Sequence, residues 1–274
     1  VSLDSNFLVD GPGHLAYARQ VADRRRVTDG KTEISRIYAV ESSPSLTGAN
    51  ADHRLRVKPS QVEVVARAIA QGAGVAAGQG SGLDAAATAW IGSAVKDLQA
   101  AKGKSIVIAG DTQPPAVHAL AFALNQALGN VGTTMKLIPA VEAQPVDHVA
   151  QLAELTKEME AGAVDTLVMI GVNPFYDAPA DIAFASAMQT KVRLRVHHGD
   201  TYDETAFLSN WHVNAAHYLE SWGDVVAYDG TVTIMQPLIA PLYDGKTPQE
   251  VLNALMGMGG RPVYDIVREH WMAT

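Results

Sequence analysis

Apolar positions along the chain follow two alternating patterns. Short, nearly continuous apolar runs at residues 34–40, 105–109, 135–138, 166–170 and 192–196 read as buried strands. Between them, apolar residues recur at helical spacing over 60–70, 84–101, 116–128, 146–161 and 181–189. Punctuation agrees: Pro59 precedes the first of these helices, Pro114-Pro115 opens the third, and Gly129-Asn130 closes it. Gly110 and Gly171 end the two clearest strands. This strand–helix rhythm predicts an α/β fold with a doubly wound, mostly parallel sheet, a Rossmann-like three-layer αβα arrangement. In such sheets ligands bind beyond the carboxyl ends of the strands.

The rhythm breaks near residue 210. The remaining residues are rich in turns, prolines and aromatic side chains, with helices predicted at 248–256 and 264–271. The expected organisation is a Rossmann-like α/β domain over 1–210 and an irregular C-terminal cap or interface layer of the same domain over 211–274. The glycine-rich stretch 72–82 reads as a surface loop. Its Gly78-Gln79-Gly80-Ser81-Gly82 follows a predicted helix and lacks both the dinucleotide spacing and the Lys-Ser/Thr of a nucleotide triphosphate loop.

Composition narrows the function. The 274 residues are 47% apolar and 18% charged, enough for a large core. A net charge of −8 argues against nucleic acid as a partner. No apolar run reaches the roughly 20 residues of a membrane helix, so direct membrane insertion is not expected. With no cysteine, thiolate zinc sites and iron–sulfur ligation are excluded from this stretch. The opening Val1-Ser2-Leu3-Asp4 carries no signal-peptide pattern and reads as the inside of a longer polypeptide.

Candidate chemistry concentrates after the strands. Gly171-Val172-Asn173-Pro174 follows the strongest strand and reads either as a crevice-lining turn or as a helix-entry turn. His197-His198-Gly199-Asp200 ends another strand and, with His212 and His217 further on, offers a candidate metal cluster; adjacent histidines face opposite sides, so at most one of His197 and His198 could join Asp200 on a metal. No serine sits in a nucleophile elbow. Asp200, Asp203, Glu204, Glu220 and Asp224 offer carboxylates for acid–base work or simply solvated loops. The densest run is His217-Tyr218-Leu219-Glu220-Ser221-Trp222-Gly223-Asp224, followed by Asp229-Gly230-Thr231 and Gln236-Pro237-Leu238-Ile239-Ala240-Pro241.

Together these stretches resemble the molybdopterin oxidoreductase superfamily, most closely the molybdopterin-oxidoreductase-like, iron–sulfur-associated subunit of the quinol-oxidising alternative complex III. Seven segments carry the resemblance beside that run: Ser2 to Leu8, Val40 to Gly48, Ala51 to Leu55, Ala123 to Gly132, Gly171 to Pro174, Asp203 to Ala206, and Trp211-His212. The resemblance implies an internal fragment of a respiratory subunit that passes electrons from quinol, on the periplasmic side of the bacterial inner membrane. Its partners would be other domains of the same polypeptide and other subunits of the respiratory complex. In active relatives this region cradles molybdopterin guanine dinucleotide; the matching positions are Glu41, Ser42, Gly171, Asn173, Asp200, Glu204 and Thr205, with Glu220 and Gly223 on a later loop. Iron–sulfur clusters would belong to parts outside this stretch. The chain departs from active relatives at Glu41-Ser42-Ser43, where they have Asp-Pro-Arg, at Ser209 to Asn214, and at Thr231, where an Arg is common. These departures imply a scaffold with a vestigial cofactor pocket and no catalytic residue of its own. The alternative is a functional cofactor-binding domain of an active oxidoreductase.

Overall fold

The computed structural model describes residues 1–273 apart from Asp29, Lys31, Gln79, Ser81 and Ala143, and these described residues form nine strands and eleven α-helices. The chain divides into two compact units, Val1–Ile138 and Pro139–Thr274.

In the first unit the elements run β1 (Ser2–Leu3), α1 (His14–Arg25), β2 (Tyr38–Glu41), α2 (Leu46–Ala49), β3 (His53–Arg56), α3 (Val62–Gly72), α4 (Ala85–Ala100), β4 (Ile108–Ala109) and α5 (Pro115–Ala127). All strand pairs are parallel, in the order β3-β2-β1-β4. Helical spacing explains the core: Val62, Val65, Ala66, Ile69 and Ala70 share one face of α3, and Val117, Leu120, Ala121 and Leu124 one face of α5. Both faces pack with Leu3, Val40 and the buried side of α4 into one apolar cluster. The Asp84 carboxylate accepts from the Ala87 N–H at 2.7 Å and starts α4.

The second unit contains α6 (His148–Glu160), β5 (Thr166–Ile170), α7 (Pro174–Asp177), α8 (Phe184–Lys191), β6 (Leu194–Gly199), α9 (Glu204–Phe207), β7 (Trp211–Asn214), β8 (Gly223–Val226), β9 (Val232–Met235), α10 (Pro248–Leu255) and α11 (Val263–Ala273). Strands β5, β6 and β7 form a parallel sheet in that order, and β8 and β9 an antiparallel ribbon. Met159, Met169, Phe184, Ala187, Met188 and Val192 make the core.

The parallel αβα fold expected from the sequence is the fold observed, with its strands divided between two sheets. Residues 211–214, expected to begin an irregular cap, are instead the third strand of the second sheet. Residues 135–138 form no strand; Met135 makes only an isolated bridge with Val131. The predicted strand 105–109 is two residues long, Ile108–Ala109, at the edge of the sheet, and a side chain closes its outer side. The Asn125 side chain takes both backbone groups of Val107, accepting its N–H at 2.9 Å and donating to its carbonyl at 2.7 Å. A neighbouring strand would need those same groups. The Asn130 amide donates to Asn125 Oδ1 at 3.0 Å and completes the buried network. Helix α1 escaped sequence reading because it buries no residue and starts at Gly13 without a side-chain cap. Of the 78–82 glycine stretch, Gln79 and Ser81 lie outside the described residues; Gly78, Gly80 and Gly82 lie outside helices and strands.

Asn125→Ala should destabilise the first unit by about 2–3 kcal/mol, because it strands the buried N–H and carbonyl of Val107. Urea denaturation followed by circular dichroism measures this, and Asn125→Asp, which keeps only the acceptor, should fail to restore stability.

Candidate functional site

Parallel pairing brings the exits of β5, β6 and β7 to one edge of the second sheet. An open cleft of about 870 Å³ lies there, lined on one side by the turn after β5 and on the other by the turn after β6. Gly171 ends β5 in a left-handed conformation, φ 66°, and its N–H donates to the His198 carbonyl at 2.8 Å. The chain then enters α7 through Asn173 and Pro174.

That entry is held from below by α9. Thr205, fully buried, donates its hydroxyl to Asn173 Oδ1 at 2.6 Å and accepts the Phe175 N–H at 3.0 Å. Asn173 Nδ2 donates to the Glu204 carboxylate at 2.8 Å, and this hydrogen bond holds the Glu204 carboxyl below its ordinary pKa. Asp203 caps α9 by accepting the Ala206 N–H at 2.8 Å. Sequence reading left Gly171 to Pro174 between a crevice turn and a helix-entry turn. The geometry makes it both, since Gly171 and Asn173 line the cleft while Pro174 is the first residue of α7.

The two histidines ending β6 diverge. His197 and His198 are each 1% exposed. His197 faces the Val172 carbonyl through Nε2 at 3.2 Å and His212 on β7 through Nδ1 at 3.0 Å, with the two rings stacked. In the neutral tautomer of His197 that donates Nε2–H to this carbonyl, Nδ1 accepts, and His212 Nδ1–H is then the donor of the pair. His198 donates Nε2–H to the Lys246 carbonyl at 2.7 Å, tying β6 to the turn before α10 and leaving its buried Nδ1 without a protein partner. Desolvation, and then the neighbouring His197, hold the His212 imidazole below its ordinary pKa. Among the described residues, no three His, Asp or Glu are grouped to hold a metal ion.

The nine positions matched to the family's cofactor pattern fall on both units, and those of the second unit do not share one hollow. Gly171, Asn173 and Asp200 line the cleft, and Glu204 and Thr205 support it through Asn173. Glu220 lines a separate hollow, and Gly223 begins β8, packed against the Met235 side chain. Glu41 and Ser42 belong to the first unit. Glu41 is buried, its carboxylate paired with Arg54 and accepting the Ser45 hydroxyl at 2.6 Å. Ser42 donates its N–H to Asp4 at 2.9 Å, and Gln113 donates to the same carboxylate at 3.0 Å. A Cβ on Gly110 would collide with the Asp4 carbonyl, so β1 and β4 close against each other at the point where the strand order reverses. Asp4 was not legible as a site residue, because it closes the strand exit only once Ser42 and Gln113 are placed against it. Asp177 was legible only as a helix start, and of the histidine group marked in the sequence the structure pairs His197 with His212.

Two threads of the densest sequence run separate here. His217 and Tyr218 line the cleft, whereas Glu220, Ser221 and Trp222 line the hollow beside it. Asp224 accepts from the Trp271 indole at 3.2 Å, which fastens α11 to β8.

No family model and no curated protein sequence matches the chain. Among solved structures it is similar to acetylene hydratase from Pelobacter acetylenicus, with a TM-score of 0.56 at 12% identity. The match covers 81% of this chain and 43% of the hydratase, so this chain spans less than half of that protein's length. The likeness shows a shared α/β fold.

Two outcomes follow from the site's hydrogen bonds. Thr205→Val should cost about 1–3 kcal/mol, leaving the Phe175 N–H and Asn173 Oδ1 without their partner; thermal unfolding of the variant tests this. Because His212 resists protonation in the fold, its contribution is complete above the ordinary imidazole value of 6.5 and declines as pH falls through 6.5 toward the lowered value. His212→Asn, whose amide can still donate to His197, should flatten that window in denaturation midpoints measured between about pH 7 and about pH 5.

Proposed function

We propose that this chain is an αβα portion of a molybdopterin-oxidoreductase-like respiratory subunit, most similar in pattern to the iron–sulfur-associated subunit of alternative complex III, and that it works as scaffold with a vestigial cofactor cleft. The ordered motifs of the sequence support the lineage. Their residues hold the frame together: Asn125 with Asn130, Ser42 with Asp4, and Asn173 with Thr205. On this reading the full subunit serves electron transfer from quinol on the periplasmic side of the inner membrane, beside other respiratory subunits. No described helix is long and apolar enough to cross a membrane.

The observation that carries the vestigial reading is the state of the groups that would meet a diphosphate. A helix entry after a parallel strand offers free N–H groups to an anion. Here Pro174 has none, the Phe175 N–H is taken by Thr205, and the Tyr176 and Asp177 N–H groups return to the Asn173 carbonyl. The cleft wall carries Asp177, Asp200 and Asp203, and no Lys or Arg among its described lining residues. Three carboxylates facing a diphosphate are repulsive. The residues lining this cleft therefore do not fit a guanine dinucleotide.

Calorimetric titration of the chain with GDP, with and without Mg²⁺, should give no binding tighter than about 1 mM. Micromolar affinity would overturn the vestigial reading in favour of a functional cofactor cleft.

A further inference from the structure

The acidic character of this protein is confined to one half. Pro139–Thr274 holds 18 Asp and Glu against 7 Lys and Arg, a net −11, whereas Val1–Ile138 holds 11 against 14, a net +3. These add to the chain's −8. Within the acidic unit lies the hollow that shares only Ala216 with the strand-end cleft. Its volume of about 310 Å³ suits a single side chain or small amine rather than a nucleotide.

The walls of this hollow have a definite chemistry. Trp222 and Tyr264 meet in a T-shaped pair with ring centroids 5.0 Å apart, and Tyr264 is 47% exposed. Three prolines stiffen the rim. Glu220 and Glu250 enter from two different capping boxes, at the start of the short helical turn Tyr218–Glu220 and of α10. In each case one carboxylate oxygen, Oε2, accepts the cap residue's N–H, at 3.3 Å from His217 and 2.8 Å from Thr247. The caps therefore fix both carboxylates in place while leaving each Oε1 for a further donor. Asp244 also lines the hollow and engages Lys246, the one Lys or Arg among its described lining residues, at 2.7 Å. The result is a rigid aromatic and proline wall beside two oriented carboxylates. Lys246 interacts with Glu250 as well as Asp244, but the lining of Glu220, Asp244 and Glu250 against one lysine keeps a net negative charge.

We propose that this hollow is a docking site for an arginine side chain of a protein partner. Charge complementarity selects a cation, and the acidic unit as a whole steers a basic surface toward it. The planar guanidinium suits the wall better than an ammonium, because it stacks on an aromatic face and presents several donors in a fork to fixed carboxylates. The Glu220 position, which the family pattern places near a cofactor, thereby gains a role in partner binding. This assignment is independent of whether the neighbouring cleft ever held a nucleotide.

The test is a titration of the ¹⁵N-labelled chain with N-acetyl-arginine amide at low ionic strength, read at the indole N–H of Trp222. The expected result is a saturable shift there, at least about tenfold weaker binding for the neutral isostere N-acetyl-citrulline amide, and loss of binding as salt rises. Glu220→Gln with Glu250→Gln keeps both caps, since an amide oxygen still accepts, and should abolish the shift. Lys246→Gln, an exposed change with opposite sign, should tighten binding, so the assignment stays testable even if the double variant folds poorly. Absence of a saturable shift at Trp222, or equal binding of the citrulline compound, would overturn it.

Discussion

Parallel pairing governs this molecule. A chain that pairs β5 with β6 and β6 with β7 in one direction leaves every strand at the same edge and must return over a helix or a long turn. That edge then gathers the polar residues that follow each strand, and their backbone groups have to be satisfied by neighbouring exits. Thr205 shows how: a hydroxyl from α9, after β6, takes the first available N–H of α7, after β5. His198 does the same with the Lys246 carbonyl, drawing the turn before α10 onto the end of β6. The cleft has its shape because three strand exits are tied to each other.

The same ties explain why the cleft and its chemistry part company. Groups that could meet an anion at a strand-end crevice are the groups the fold needs for closing its own turns. In the first unit this goes furthest, with Asp4 bound by Ser42 and Gln113 while the glycine at 110 lets β4 meet the exit of β1. In the second unit the space survives, but the helix entry is closed by Thr205 and the wall is acidic. The hollow bounded by Trp222 and Tyr264 has the opposite balance: its two glutamates are fixed by capping and keep oxygens that the fold does not use.

Much of the frame was legible in the chain. Thr166–Ile170 reads as a strand because Leu167 to Ile170 is an unbroken apolar run, and α3 and α5 read as helices because their apolar residues recur every three to four positions. Elements without that signature were not legible. Helix α1 buries nothing, and β7, with Trp211 two-thirds exposed, is a strand only because β6 pairs with it. For the site, the sequence marked Gly171, Asn173 and Asp200 after strand ends, and the family resemblance added Glu204 and Thr205; those five gather at the second sheet.

The sequence by itself determined the α/β class, the main helices and the exclusion of thiolate chemistry, since periodicity and composition are local properties that survive without contacts. Only the tertiary structure decided which polar side chains face a ligand and which face each other. Asn125 looks like any helical polar residue until Val107 is placed against it, and Glu41 looks like a site residue until Arg54 and Ser45 enclose its carboxylate. Those partners lie 18, 13 and 4 residues away along the chain, on other elements or turns, and hydrogen bonding is set by distance in space.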